Sequence, residues 1–479
     1  MEFGAFLKKA LKDIGVSVTR LSSEIDCNRV ALYAVFRGEK KLPEDVFELI
    51  LQKYNFPALQ VSELKRLFYI DNLGDDRKEL LGVLKDELEE IGKERFVSPF
   101  PIRTIEVCNE SVMIAGSIDY YSSIAAFLKN EADCINNVIY TNYSFFDVQA
   151  DSLFYNFAKN APDGTIIKHT VRMDSESDIK ERIRNVCSSV KFAKLGHITN
   201  ISAGGKKNFT FATYFIGSKT VLQYDAQNEC GFLTGEPAVV NSFRLAATKN
   251  EKSKALLNGF SKSALDLKEV LSPHQKNIIS FLDFRFPANL FTTKKILSET
   301  VKENVEYRDV IIKEFWNHLK YFQFLSTSGI FSQHGIRKFA QDGIASDASP
   351  VFLHPISVEN RIELFKKYKQ NIADTNYALK IINSDRLRVT EHCAFEIYSD
   401  GFSLLFCSDK DPAENFIGGC YIIYKDKELS KLFMDFKEYI TLGDGILPKK
   451  YAEILVDDLI GQCSAVLKKA ETAFTGLSI

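Results

Sequence analysis

Residues 16–38 read VSVTRLSSEIDCNRVALYAVFRG, and this stretch predicts two short helices joined by a tight corner. Leu21 and Ile25 lie one helical turn apart, so they would share the buried side of the first helix. The corner falls at residues 26–27, where the chain leaves that helix. Asn28 is well suited to cap the second helix, because its side-chain oxygen can accept a hydrogen bond from a free backbone N–H.

The second helix of this stretch has one apolar side at helical spacing, formed by Val30, Leu32, Val35 and Phe36. The positions that fall largely outside this side are Arg29, Ala31, Tyr33, Ala34 and Arg37. Gly38 is placed to end the helix in a left-handed backbone conformation.

This pattern resembles the helix-turn-helix of the Cro/lambda-repressor-like (XRE-type) DNA-binding family, in which a polar recognition helix ends in a charged residue and Gly, as at Arg37-Gly38. The resemblance covers residues 1–70 of 479. It implies an all-α N-terminal domain that reads double-stranded DNA in the major groove, usually as a homodimer on two half-sites. The family often places a phosphate-contacting Thr-Gln pair where this chain has Ser17 and Val18.

The resemblance also implies which residues would contact DNA. Side chains early in the second helix would touch base edges, and the candidates for this role are Asn28, Arg29, Ala31 and Tyr33. Other side chains would contact phosphates and position the helix, and these candidates are Thr19, Arg20, Arg37, Lys40 and Lys41. Two uses of the Asn28 side chain remain open, capping and DNA contact.

The composition is that of an ordinary globular protein, with 45% hydrophobic and 26% charged residues and a net charge of −2. A length of 479 residues predicts two to four domains. Residues 1–70 carry 11 Lys and Arg against 9 Asp and Glu, so the first segment is slightly basic. The nine scattered cysteines and the lack of a long apolar run predict a cytoplasmic protein that does not enter a membrane.

The pattern along the chain predicts a multidomain fold, with an all-α helix-turn-helix domain followed by an α/β (α+β) effector region. The predicted divisions are a DNA-binding domain at 1–73, a linker helix at 74–98, a first α/β half at 99–258, a helical segment at 259–349, and a second α/β half with a C-terminal helix at 350–479. The linker helix has one leucine-rich side. This side would pack on the next domain or pair with a second protomer, and the sequence favours neither use.

A weak internal repeat links the two α/β parts. The segment 116–130 is similar to 356–370, and each is followed by a strand pattern and later by a hairpin, at 214–225 and 395–409. The order of helix, strand, hairpin and closing helix resembles phospholipase-D-like effector domains that lack the catalytic His-x-Lys-x4-Asp motif. We therefore consider two related halves with a helical segment between them.

The sequence offers little evidence for catalysis. The His-x-Lys pattern at His318 and Lys320 has Leu325 where the phospholipase D motif requires Asp, and it falls in a predicted helix. The seven histidines show no metal-binding spacing. We therefore expect a protein that is not an enzyme, with no catalytic residues, no metal and no cofactor.

The leading hypothesis is a transcriptional regulator in which residues 71–479 dimerise and sense an unknown effector, a small molecule or a peptide. One alternative is an enzyme or nucleic-acid-processing protein that uses the helix pair for targeting. Another is an interaction scaffold that does not bind DNA. A salt-dependent DNA-binding assay separates the first hypothesis from the scaffold.

Overall fold

The computed structural model describes most of the chain. The described residues are 2–91, 101–162, 164–173, 177–193, 199–204, 212–250, 257–260, 278–283, 286, 288–305, 307–324, 329–344, 353–374, 379–384, 393–398, 401–407, 420–441 and 445–475. They form a multidomain structure that combines a helical N-terminal unit with two mixed sheets. The expectation of a multidomain α+β chain is confirmed at this level.

Five helices form the N-terminal unit: α1 (Phe3–Asp13), α2 (Val18–Glu24), α3 (Arg29–Phe36), α4 (Glu44–Lys53) and α5 (Ala58–Asn72). They enclose a core of their own, in which Leu7, Leu21 and Leu32 are fully buried. The rings of Phe47 and Phe68 stack with centroids 4.0 Å apart, which joins α4 to α5.

The next helix, α6 (Asp75–Glu90), packs within the chain. Leu81, Leu84 and Leu88 are buried in the large core that the two sheets share. This observation decides between the two uses that the sequence left open, because the leucine-rich side is covered by the chain itself.

The first sheet contains β1 (Val112–Ala115), β2 (Val138–Thr141), β3 (Ile166–Arg172), β4 (Thr199–Gly204), β5 (Ala212–Ile216), β6 (Val221–Asp225) and β7 (Cys230–Thr234). Its order is β1-β7-β6-β5-β2-β3-β4, with β2, β3 and β4 parallel and the other pairs antiparallel. Helices α7 (Gly116–Glu131), α8 (Val148–Lys159) and α9 (Ile179–Ala193) contribute to the core on one face, and α10 (Pro237–Asn250) packs on β5 and β6.

The second sheet contains β8 (Leu257–Phe260), β9 (Ile278–Asp283), β10 (Gly329–Ser332), β11 (Lys380–Ile382), β12 (Cys393–Tyr398), β13 (Phe402–Cys407) and β14 (Cys420–Lys425). Its helices are α11 (Lys294–Thr300), α12 (Arg308–Phe324), α13 (Gln333–Asp342), α14 (Val358–Asp374), α15 (Lys427–Thr441) and α16 (Lys449–Thr475). A short 3₁₀ helix spans Ala288–Leu290.

The two sheets have the same topology. Read from one edge, the second sheet runs β8-β14-β13-β12-β9-β10-β11, which is the order of the first sheet with seven added to each strand number. The parallel strands β9, β10 and β11 also correspond to β2, β3 and β4. The chain therefore contains two related halves.

The predicted repeat was correct for the hairpins and wrong for the helices. The hairpins β5–β6 and β12–β13 occupy equivalent places, but α7 follows the first strand of its sheet, whereas α14 lies between β10 and β11. The counterpart of α14 is α9, so 116–130 and 356–370 are not equivalent. Both helices are amphipathic and precede a strand, and this shared local pattern caused the wrong pairing.

The segment 259–349, predicted to be helical, also contributes strands. It contains β9 and β10 as well as α11, α12 and α13, and both strands lie inside the second sheet. The strand-forming residues were missed because β9 and β10 are short apolar runs beside long helical patterns.

A buried carboxylate fixes the first hairpin. Glu131 accepts hydrogen bonds from the backbone N–H groups of Ser218 and Lys219, each at 2.9 Å. A Cβ atom on Gly217 would lie 2.2 Å from the Glu131 carboxyl carbon, so any larger residue at this position would displace the carboxylate from the turn.

Helix α9 connects the two halves. It packs against β3 and β4 of the first sheet and against β13 and β14 of the second. Arg182 on α9 is buried, with 5% of its side chain exposed, and it forms ion pairs with Asp426 and Glu428 at the start of α15.

Among the described helices, none is long and apolar enough to cross a membrane.

We expect Arg182→Ala to destabilise the protein by about 3 kcal/mol, because truncation removes the ion pairs of a buried guanidinium and leaves the half-buried Asp426 carboxylate without its cation. Thermal and urea unfolding of the full chain would measure this effect. Arg103→Ala is the control, since Arg103 is 71% exposed and forms a surface pair with Asp119. An Arg182 variant as stable as the Arg103 variant would contradict the role of this ion pair.

His169 on β3 predicts a pH dependence of stability. Burial between the rings of Tyr143 and Phe145 lowers the pKa of His169 to about 3, whereas an unfolded chain has a histidine pKa of about 6.5. As the pH falls below 6.5, the unfolded chain binds a proton that the folded chain does not. Stability should therefore fall by up to about 1.4 kcal/mol per pH unit from this residue.

Chemical unfolding at pH 7 and pH 5.5 measures this effect. We expect His169→Leu to remove that part of the stability loss, while His354→Leu, at an exposed position, keeps it. Equal losses in the wild type and the His169 variant would contradict the assignment to His169.

Candidate nucleic-acid interface

The corner between α2 and α3 forms as the sequence predicts. Asp26 adopts a positive φ of 50°, and the Asn28 Oδ1 atom accepts the N–H of Val30 at 2.8 Å. Gly38 has φ of 75°, and its N–H donates to the Val35 carbonyl oxygen at 2.9 Å. Both ends of α3 are therefore capped.

Asn28 uses its side-chain oxygen in the cap. Of the two uses that the sequence left open for Asn28, the structure shows this one. The Nδ2 group is the part of the side chain that could also donate to a base.

The outer face of α3 is an exposed row of side chains. Arg29, Tyr33 and Arg37 are spaced by four residues, so they lie along one side of the helix, and all three are exposed. Tyr33 is 43% exposed, and its ring packs edge-on against Phe36 with centroids 6.3 Å apart. This row is the part of the two-helix unit that a groove could receive.

Val30 also belongs to this outer face. The sequence placed Val30 on the apolar inner side, but it is 73% exposed, whereas Ala34, expected outside that side, is buried. The helical period explains this exposure, because about 100° per residue places position 30 about 60° from position 33, about 20° from position 37 and about 160° from the buried position 32. Val30 is thus a surface residue that the simple apolar pattern missed.

Ala31 lies away from the exposed row. It is half-buried, and about 160° separates it from Tyr33 around the helix axis. The structure therefore does not bring Ala31 together with Arg29 and Tyr33, although the sequence grouped them.

Two of the phosphate candidates form surface ion pairs. Arg20 Nε lies 2.8 Å from Glu24 Oε1, and Arg37 binds Glu39 through two hydrogen bonds of 2.6 and 2.8 Å. The hydrogen bond from Arg37 holds the pKa of Glu39 below its usual value. Exposed pairs of this kind contribute little stability, so a phosphate could replace either carboxylate at small cost.

The remaining cationic candidates lie outside such pairs. Among the ion pairs between described residues, none involves Arg29, Lys40 or Lys41. All three are exposed, and Lys40 and Lys41 follow directly after the C-terminal end of α3. Thr19 is exposed on α2.

The neighbouring helix α4 holds α2 in place. The Tyr54 hydroxyl donates to Glu24 Oε2 at 2.7 Å, and Lys53 donates to the backbone carbonyl of Glu24. Burial raises the pKa of Tyr54 to about 12, with the Glu24 carboxylate adding to the increase. The Glu24 side chain thus connects its ion pair with Arg20 to the Tyr54 side chain of the helical core.

The His-x-Lys pattern at 318–320 lies within α12. Leu319 is buried in α12, and Lys320 is exposed with its Nζ 5.8 Å from the Trp316 ring centroid. The His-x-Lys pattern at 318–320 is therefore part of a helix that packs on its own core. Within the described ranges, no three His, Cys, Asp or Glu side chains come together to hold a metal ion.

Comparison with known proteins contradicts the resemblance to the Cro/lambda-repressor-like family. No family model matches the chain, and no curated protein matches it. Among solved structures, a phosphatidylserine synthase from Haemophilus influenzae Rd KW20 matches with 11% identity, covering 81% of this chain and 99% of that chain. Its TM-score is 0.24, so this similarity supports no argument about fold or function.

The family assignment of residues 1–70 was therefore wrong. The features that suggested it are an N-cap, a corner and a C-terminal glycine, and these serve the packing of short helices in general.

We expect Asn28→Ala to destabilise the N-terminal unit by about 1 kcal/mol, because the Val30 N–H loses its acceptor. Asn28→Ser should keep most of the stability, since serine also caps helices. Thermal unfolding followed by circular dichroism compares the variants. A loss that is equal in Asn28→Ser and Asn28→Ala would argue against capping as the role of this side chain.

Proposed function

We propose that the N-terminal unit binds double-stranded DNA, with α3 in the major groove. The observation that carries this proposal is the exposed row of Arg29, Tyr33 and Arg37 on a helix that is capped at both ends. A helix of this kind fits the major groove, where each base pair presents a distinct pattern of donors, acceptors and methyl groups.

The chemistry of the row suits this role. Arg29 could donate two hydrogen bonds to a guanine edge, and the exposed Val30 could contact a thymine methyl group. Lys40 and Lys41 lie beyond the end of α3, where they would bind phosphates and set the position of the helix. In this proposal Thr19, Arg20 and Arg37 also contact the backbone of the DNA.

We further propose that the chain acts in the cytoplasm as a homodimeric transcriptional regulator that responds to an effector. One short helix makes few base contacts, and dimers on half-sites one DNA turn apart are the usual solution. The leucine-rich side of α6 is buried within the chain, so the dimer would use another surface. The two halves after residue 100 contain many more residues than dimerisation alone requires, and this length favours a sensing role.

The test uses the full chain and a duplex selected from a random-sequence library. We expect Arg29→Ala combined with Lys41→Ala to weaken binding at least about tenfold, and Lys41→Ala alone to reduce the salt slope by about one. Fluorescence anisotropy at several salt concentrations measures both quantities.

The matched control is Lys468→Ala combined with Lys469→Ala. These two lysines are exposed on α16, and the change removes the same charge. Unchanged affinity in the Arg29/Lys41 variant, or an equal loss in the control, would contradict the proposal. No selectable duplex at all would favour an interaction scaffold.

A further inference from the structure

Three cysteines occupy neighbouring positions in the second sheet. Cys393 is the first residue of β12 and lies opposite Cys407, the last residue of β13. Cys407 also lies opposite Cys420, the first residue of β14. Only the pairing of the three strands brings these positions together, and we call the three residues the cysteine row.

The hairpin between β12 and β13 fixes the register of this row. The Gly401 N–H donates to the Tyr398 carbonyl oxygen at 3.0 Å, and Gly401 adopts a φ of 84°, which favours glycine. Gly401 also positions β14, because its carbonyl oxygen accepts the N–H of Asp426 at 3.1 Å. From this turn, the three strands pair residue by residue as far as the cysteine row.

The spacing within the row suits a covalent bond between neighbours. Residues that lie directly opposite each other on antiparallel strands share one face of the sheet, and their Cα atoms are about 4.5–5.5 Å apart. A disulfide joins cysteines whose Cα atoms are about 4.4–6.8 Å apart. The end positions, Cys393 and Cys420, are two strand spacings apart, about 9.6 Å, so Cys407 is the partner that both pairs share.

The cysteine row lies at one end of the sheet, because each of its members is a terminal residue of its strand. At the same end, the last residue of β9, Asp283, lies opposite Ala394 of β12. The parallel strands β9, β10 and β11 therefore finish here. The carboxyl ends of parallel strands are where small molecules reach open α/β sheets, so this end offers a small oxidant a route to the row.

We propose that the cysteine row is a thiol–disulfide site, in which Cys407 forms a reversible disulfide with Cys393 or with Cys420. The oxidant belongs to the peroxide class, and small thiols reduce the bond again. The proposed function places the chain in the cytoplasm, where protein disulfides are usually transient and serve catalysis or redox sensing.

The atoms and electrons balance with hydrogen peroxide as the oxidant. One cysteine thiolate attacks a peroxide oxygen, the O–O bond breaks and hydroxide leaves, so the sulfur becomes a sulfenic acid. The neighbouring thiolate attacks this sulfur, the S–O bond breaks, and the disulfide forms as a second hydroxide leaves. The hydroxides take up the protons that the two thiols lost, so two thiols and one peroxide give one disulfide and two waters.

The third cysteine makes the disulfide exchangeable. When Cys407 is bonded to Cys393, the thiolate of Cys420 attacks the Cys407 sulfur and releases Cys393 as a thiolate. The reverse reaction uses Cys393 as the attacking group. The disulfide thus moves between the two strand pairs without further oxidant.

Peptide mass spectrometry of the full chain tests the site. The reduced protein is treated with hydrogen peroxide, blocked with iodoacetamide and digested with trypsin. Residues 389–410 form one tryptic peptide that contains Cys393 and Cys407, and residues 411–425 form another that contains Cys420. A bond between Cys393 and Cys407 removes two hydrogens from the first peptide, whereas a bond between Cys407 and Cys420 joins the two peptides. We expect both products, and dithiothreitol should remove both.

Serine variants identify the shared partner. Cys407→Ser should abolish both products, since the end positions are too far apart to bond. Cys393→Ser should keep the joined peptides, and Cys420→Ser should keep the bond within the first peptide. The control is Cys230→Ser, at an exposed cysteine on β7, which should form both products like the wild type. Circular dichroism compares the fold of each reduced variant with that of the wild type.

Two results would overturn the proposal. The first is that both peptides of the wild type contain only blocked thiols after peroxide treatment. The second is that the peptides of Cys407→Ser are joined, because that bond would link Cys393 to Cys420. Electrophoresis in SDS without reductant should show single chains, since a bond between two chains would also contradict the row. These measurements use no DNA, so their outcome is separate from that of the proposed DNA binding.

Discussion

The ion pairs of Arg182 with Asp426 and Glu428 are the interaction on which the arrangement of this chain depends. Arg182 lies on α9, which packs on strands of both sheets, and its partners lie at the start of α15. Burying a cation of this kind costs desolvation energy, which the two ion pairs offset only while both partners are in place. The same region positions α6, because Arg77 of α6 pairs with Asp435 and Arg184 of α9 pairs with Glu87 of α6.

The two sheets share one topology, and this shared topology sets how the two halves meet. Each half contains three parallel strands and an antiparallel hairpin in equivalent places. Helices α9 and α15 follow non-equivalent strands of their sheets, and both contribute residues to one common core. The contact between the halves is therefore asymmetric, although the strand orders are the same.

Much of the local structure could be predicted from the sequence, because it is controlled by short-range chemistry. The caps at Asn28 and Gly38 and the first hairpin at Gly217 follow from residue type alone. The pairing of the repeats could not be predicted, because α7 and α14 have similar patterns and only the sheet order separates them. The short strands β9 and β10 were missed for a related reason, since a brief apolar run fits a strand or a buried helix equally.

At the proposed interface, the exposure of Arg29 and Tyr33 followed from the helical period, but that of Val30 did not, because an apolar residue was assigned to the core. Family membership could not be inferred from the pattern of helix ends.

Photo-cross-linking most directly tests the central claim that α3 contacts DNA. A photoreactive phenylalanine analogue would replace Tyr33 in one variant and Tyr451, an exposed tyrosine on α16, in another. The account predicts cross-links to the selected duplex from position 33 and none from position 451. Cross-links from position 451 alone, or from neither position, would contradict it.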